Sequence, residues 1–138
     1  MKPFRKHVAL AVDGGGIKGV VASRAIAVLE EHLQTPAYEV FTLLAGTSTG
    51  AIITAGVATG LFGEEIHRLY CKLGPAIFRS TWRSTLWPLT RYRYPLEPLQ
   101  EALEDQMGGK TMADFWKEDK PLDLVITAFD LVKNKTLF

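Results

Sequence analysis

The feature that most restricts how this chain can fold is Gly46-Thr47-Ser48-Thr49-Gly50. It lies between two apolar runs, Val40-Phe41-Thr42-Leu43-Leu44-Ala45 and Ala51-Ile52-Ile53-Thr54-Ala55. Apolar segments on either side of a small-residue turn read as a buried strand entering a helix, with one serine at the apex. So sharp a turn leaves no room for Cβ atoms at its shoulders, and glycine tolerates the backbone angles the turn demands. Ser48 is then held in the open at a helix N-terminus, where backbone N–H groups and the helix dipole favour negative charge. Gly-x-Ser-x-Gly at such a junction is the sequence form of a nucleophile elbow.

The same region raises a rival. No charged residue occurs from Val40 to Gly63, and the run contains Gly46-x-x-x-Gly50 and Gly56-x-x-x-Gly60. That length and glycine spacing suit helices packed in a membrane. However, Thr and Ser residues are frequent in the run, which makes it only modestly apolar. Its flanks also lack the aromatic and basic anchors of a spanning segment. A buried strand followed by a buried helix is the economical account.

Upstream, His7-Val8-Ala9-Leu10-Ala11-Val12 is a short apolar run suited to a strand buried on both faces. It ends in Asp13-Gly14-Gly15-Gly16-Ile17-Lys18-Gly19. A helix is expected from about Ile17 to Leu33, terminated by Pro36. Its apolar stripe is Ile17, Val21, Ala25, Val28, Leu29 and Leu33, with Arg24, Glu30, Glu31 and Gln34 facing water. The second strand follows, about Val40 to Ala45. Strand, glycine loop, helix, strand and serine turn make one βαβ unit with parallel strands. Both loops then leave the carboxyl ends of their strands, the edge at which open α/β sheets bind ligands. If the strands are neighbours, the loops start about 5 Å apart.

Downstream, helices are expected from about Thr49 to Thr59 and from Gly63 to Phe78, the latter with Ile66, Leu69, Tyr70 and Leu73 on one face. Residues 79–94 hold Trp82, Trp87, Tyr92 and Tyr94 among Arg79, Arg83, Arg91 and Arg93, without an acidic residue. The stretch reads either as a peripheral membrane contact or as a connection whose rings pack on the domain. A helix from Pro95 to Met107 stops at Gly108-Gly109, and Thr111 to Asp114 resembles a cap on a short helix through Trp116. Leu122 to Leu131 reads as a third strand, and Lys133-Asn134-Lys135 as a turn into a fourth beginning Thr136-Leu137-Phe138. An ending in mid-strand reads as a fragment of something longer.

With 138 residues the chain has material for one domain with a core. Its net charge of +1 argues against a nucleic-acid partner. The one cysteine, Cys71, excludes an intrachain disulfide and reads as a small buried apolar residue. The apolar run behind the basic N-terminus is too short for a signal peptide, so a cytoplasmic location is expected.

A serine hydroxyl needs a base to remove its proton and donors for the tetrahedral oxyanion it creates. Gly14, Gly15 and Gly16 have no side chains to obstruct such donors, and the Thr49 N–H follows the nucleophile directly. Gly14 to Gly19 also fits G-x-G-x-x-G, so a nucleotide-binding βαβ domain is the alternative; the acid expected after the second strand is missing. The base is the missing part. His7, His32 and His67 are all badly placed along the chain to serve Ser48, and Asp130 reads as a turn-forming residue.

Asp13-Gly-Gly-Gly-Ile-Lys-Gly19 followed by Gly46-Thr-Ser-Thr-Gly50 resembles the N-terminal half of a patatin-like phospholipase domain. The resemblance implies a three-layer α/β/α sandwich with a mostly parallel central sheet, incomplete at its C-terminus over residues 1–138. It implies hydrolysis of lipid acyl esters without metal or cofactor. Ser48 would be the nucleophile, Gly14, Gly15, Gly16 and Thr49 the oxyanion hole, and Asp13, Lys18, Gly19, Gly46 and Gly50 the supporting motif. The family works through a Ser–Asp dyad whose aspartate lies in a later Asp-Gly-Gly or Asp-Gly-Ala motif. Here the one Asp-Gly pair is Asp13-Gly14. The 138 residues would therefore keep the serine without its base and be nearly inactive alone.

Overall fold

Three strands, β1 (Ala9–Val12), β2 (Leu43–Gly46) and β3 (Asp123–Ile126), form a sheet in the order β1-β2-β3, and both pairings are parallel. This structure, a computed structural model, describes residues 5–77, 97–115 and 122–137. The helices among them are α1 (Gly19–Leu33), α2 (Ala37–Val40), α3 (Thr49–Ala58), α4 (Gly63–Ile77) and α5 (Glu97–Met107). Parallel strands joined through helices give the mixed α/β class, in keeping with the α/β/α sandwich expected from the sequence. The aromatic and basic stretch at 79–94 and Trp116 lie outside the described residues.

Helix α3 lies against all three strands and also touches α1, α2 and α4. Ile53, Val57 and Thr54 are fully buried on it, facing a core that includes Leu44, Leu124, Ile66 and Tyr70. Protein on every side explains why the chain carries no charge there. With 10 residues, α3 is far too short to cross a bilayer. Among the described residues no helix is long and apolar enough to do so.

Four expectations need correction. The stripe drawn on α1 is rotated away from its true buried face. Val21 is 69% exposed, and Ile17 and Val28 are also exposed, while Gly19, Ser23, Ile26, Ala27 and Glu30 are buried. The reason is the neighbour: α1 packs chiefly on α4, and small residues allow the approach. A Cβ on Gly63 of α4 would meet the backbone of Ala27. Counting apolar bulk overlooks such a face, because Gly19, Ser23 and Ala27 are small.

Glu30 is the second correction. Expected in water, it is buried, with Oε1 accepting from the Ala37 N–H at 2.8 Å and Oε2 from the Gly63 N–H at 2.7 Å. These are the first N–H groups of α2 and α4, which have no acceptor inside their own helices. One carboxylate fixes where both helices begin, and their N-terminal dipoles favour its charge.

Third, the strand expected from Leu122 to Leu131 is two strands in two sheets. β3 ends at Ile126, and β4 (Ala128–Asp130) pairs antiparallel with β5 (Lys135–Leu137). Partner supply explains the break: β2 turns into the serine elbow after Gly46, so the chain beyond Thr127 pairs with itself. Asp130 is the turn former expected, its Oδ1 accepting from the N–H groups of Val132 and Lys133 at 2.9 and 3.0 Å. In the same way β2 starts only at Leu43, because Val40 closes α2. Fourth, Cys71 is exposed on α4 rather than buried. The expected cap at Thr111 is present, its N–H and hydroxyl both donating to Asp114 Oδ2 at 2.7 and 2.8 Å.

Candidate active site

The register of the first two strands decides what meets at the sheet edge. Val12 stands opposite Gly46, so both strands end level. The glycine loop leaves β1 beside the serine turn leaving β2, as the βαβ reading required. The Thr47 N–H donates to the Val12 carbonyl at 3.3 Å, which ties the two exits together.

Ser48 sits at φ 55°, ψ −122°, a backbone conformation rare for a residue with a side chain. Holding it there costs about 1–3 kcal/mol, which the surrounding structure must impose. Hydrogen bonds from the Gly50 N–H to the Thr47 carbonyl (2.9 Å) and from the Ala51 N–H to the Ser48 carbonyl (3.0 Å) close the turn. The unusual angle thus falls on the serine itself. The flanking glycines serve close approach instead. A Cβ on Gly50 would strike the Val12 carbonyl oxygen, and one on Gly46 would lie 2.6 Å from the Ala51 backbone nitrogen. Ser48 itself is exposed.

The glycine loop is laid directly on the elbow. A Cβ on Gly14 would come within 3.0 Å of both Ser48 Cβ and the Thr47 carbonyl oxygen. The Gly15 N–H donates to Thr49 Oγ1 at 3.1 Å, so the residue after the serine holds the loop in place. Gly16 takes φ 58° and opens a turn of 3-10 helix, Gly16–Lys18, that leads into α1 at Gly19. The N–H of Thr49, first in α3, has no acceptor within its own helix. Among the described residues, neither it nor the N–H groups of Gly14 and Gly16 have an acceptor. Asp13 and Lys18 are both exposed on the loop.

No histidine is brought to Ser48. His32 Nδ1 contacts the Val28 carbonyl at 2.9 Å, and His67 Nδ1 contacts the Val20 carbonyl at 3.1 Å. Asp130 is engaged in its own turn. Among the described residues no three His, Cys, Asp or Glu side chains gather closely enough to hold a metal ion.

Two contacts at this edge escaped the sequence reading. Thr47 Oγ1 lies 2.8 Å from Thr127 Oγ1, joining the elbow to the end of β3. Tyr70, expected only as a core residue of α4, donates its hydroxyl to the Thr49 carbonyl at 2.9 Å. Burial pushes its phenol up to about 12, against a smaller lowering effect from the Thr49 side chain. Gly19 was the available signal: a motif glycine that follows a loop marks a close neighbour.

The family model for "Patatin-like phospholipase" matches residues 10–136. "Patatin-like protein 1" of Oryza sativa subsp. indica is 33% identical over 94% of this chain and 34% of its own length. The "cUMP-AMP-activated phospholipase" of Escherichia coli is 33% identical over 82% of this chain and 36% of its own. An "Intracellular phospholipase A2" of Caenorhabditis elegans is 32% identical over 75% of this chain and 9% of its own. The chain therefore spans about a third or less of the length of these relatives. With its two motifs level at one sheet edge and a family match across nearly its whole length, the chain belongs to the patatin-like phospholipase family.

Proposed function

We propose that these residues form the N-terminal part of a single serine acyl hydrolase domain acting on lipid esters. Ser48 attacks the ester carbonyl carbon, and the oxyanion that forms is met by backbone N–H groups. Thr49 at the start of α3 is the first donor, and Gly14 and Gly16 supply the others. The Gly15 N–H, turned to Thr49 Oγ1 in this structure, serves as a brace. The observation that carries the reading is the contact between loop and elbow, with Gly14 against Ser48 and the N–H groups of Thr49, Gly14 and Gly16 without an acceptor among the described residues. A dinucleotide loop has no need to rest on a serine.

Strain at Ser48 contributes to the mechanism by holding Oγ clear of the helix, where a carbonyl can reach it. Lys18, exposed on the loop, is suited to an anionic headgroup. By the family resemblance the general base is the aspartate of a later Asp-Gly-Gly or Asp-Gly-Ala motif, which these 138 residues lack; Asp130 is taken up by its own turn. On this reading the 138 residues alone set up the nucleophile and turn over esters poorly.

The test is release of free fatty acid from phospholipid vesicles by the full-length protein, followed by mass spectrometry. Ser48→Ala is expected to lower turnover by at least about a thousandfold, the scale on which loss of a nucleophile acts. Fatty acid release that survives Ser48→Ala would sink the proposal.

A further inference from the structure

We propose that Tyr70 is a positioning residue of the serine elbow, setting the oxyanion donor through α4; this rests on the hydrolase reading above. Thr49 carries two groups the site depends on, its N–H beside the serine and its Oγ1 under the glycine loop. Both hang from one Cα, so the position of Thr49 sets both at once. Helix α3 restrains Thr49 from below, and the first residue of a helix is its least restrained. Tyr70 Oη supplies the missing constraint, donating to the Thr49 carbonyl at 2.9 Å. Thr49 is 6% exposed and Tyr70 8%, so water does not compete freely for that bond.

The ring is located as firmly as the hydroxyl. A Cβ on Gly19 would lie 2.5 Å from Tyr70 Cε1 and 2.7 Å from Cζ. Gly19 is the residue at which the glycine loop becomes α1. Tyr70 is therefore a wedge between the two motifs: its edge rests where the loop ends, and its hydroxyl holds the residue after the nucleophile. The elevated phenol pKa keeps that hydroxyl a donor throughout the ordinary pH range. Whatever shifts α4 along its axis shifts the oxyanion donor with it.

The test uses the full-length protein with hydrolysis rates expressed per fluorophosphonate-titrated serine, so that misfolded molecules do not count. Tyr70→Phe keeps the ring against Gly19 and removes the hydroxyl alone. It is expected to lower kcat about tenfold with KM unchanged, the pattern of an interaction felt in the transition state. Gly19→Ala, which pushes the ring, is expected to lower kcat in the wild type and to add little in the Tyr70→Phe background, because both act through one bond. Equal kcat per titrated site for Tyr70→Phe and wild type overturns the proposal, as do additive effects of the two substitutions. A wild-type protein without Ser48-dependent hydrolysis fails at the earlier step and sinks the hydrolase reading instead.

Discussion

Two of the described regions where helices start treat their free N–H groups in opposite ways. At the α1–α2–α4 corner, the first donors of α2 and α4 point into the interior and are filled by the two oxygens of Glu30. At the sheet edge, where Ser48 is exposed, the first donor of α3 and the N–H groups of Gly14 and Gly16 have no acceptor among the described residues. The corner has its anion built in. The edge, on the proposed function, waits for one that exists only while an ester is being opened. The backbone differs to match: Glu30 lies in ordinary helix, whereas Ser48 is held at φ 55°. Helix termini are common property of folded chains; what makes one a site is leaving it unfilled.

The contrast can be broken from its stable side first. Glu30→Ala orphans two buried donors and opens a cavity, and is expected to lower stability by about 3 kcal/mol in denaturant titration. A loss under about 1 kcal/mol would mean that water fills the corner as well as the carboxylate does. On the reactive side, Thr49→Val keeps shape but removes the acceptor of the Gly15 N–H. It is expected to reduce kcat about tenfold, or about 1.4 kcal/mol in the barrier, with little change in melting temperature. An unchanged kcat would show that the loop holds its place without that brace. Ser48→Gly, which relieves the backbone strain, is expected to raise stability by about 1 kcal/mol while removing the nucleophile. If stability falls instead, the elbow is not strained.

The smallest effect is confined to alkaline solution. The folded state keeps the Tyr70 proton up to about 12, above the unfolded value of 10.0. That contribution is fully present below about pH 10 and is lost as pH rises from there toward 12. Wild type should therefore lose stability across that window more steeply than Tyr70→Phe. Parallel curves would place the phenol in a wetter setting than its burial indicates.

The sheet edge that carries both motifs was legible in the sequence because its signals are local. Two glycine-rich motifs, each ending an apolar run, fix a βαβ unit whose loops must share an edge, and Val12 standing opposite Gly46 is that expectation realised. The buried side of α1 was illegible for the converse reason. Its contact with α4 is made by Gly19, Ser23, Ala27 and Gly63, residues too small to register in an apolar count. Glu30 looked like a surface residue because nothing in its own helix announces that two other helices begin at its carboxylate. The division of Leu122–Leu131 into two strands depends on where β2 turns away, which is a property of the neighbour. Tyr70 combines both cases: it was visible as a core position, while the hydroxyl on Thr49 depends on tertiary structure.

The central claim is that Ser48 is an activated nucleophile facing donors kept open for an oxyanion. Its most direct test is exposure of the full-length protein to a fluorophosphonate ester, followed by peptide mass spectrometry. A tetrahedral phosphonyl group reproduces the charge and shape the open donors would stabilise. The account predicts one adduct on Ser48, abolished by Ser48→Ala and slowed by Thr49→Val. Absence of an adduct on Ser48, or labelling that Ser48→Ala leaves intact, would contradict it.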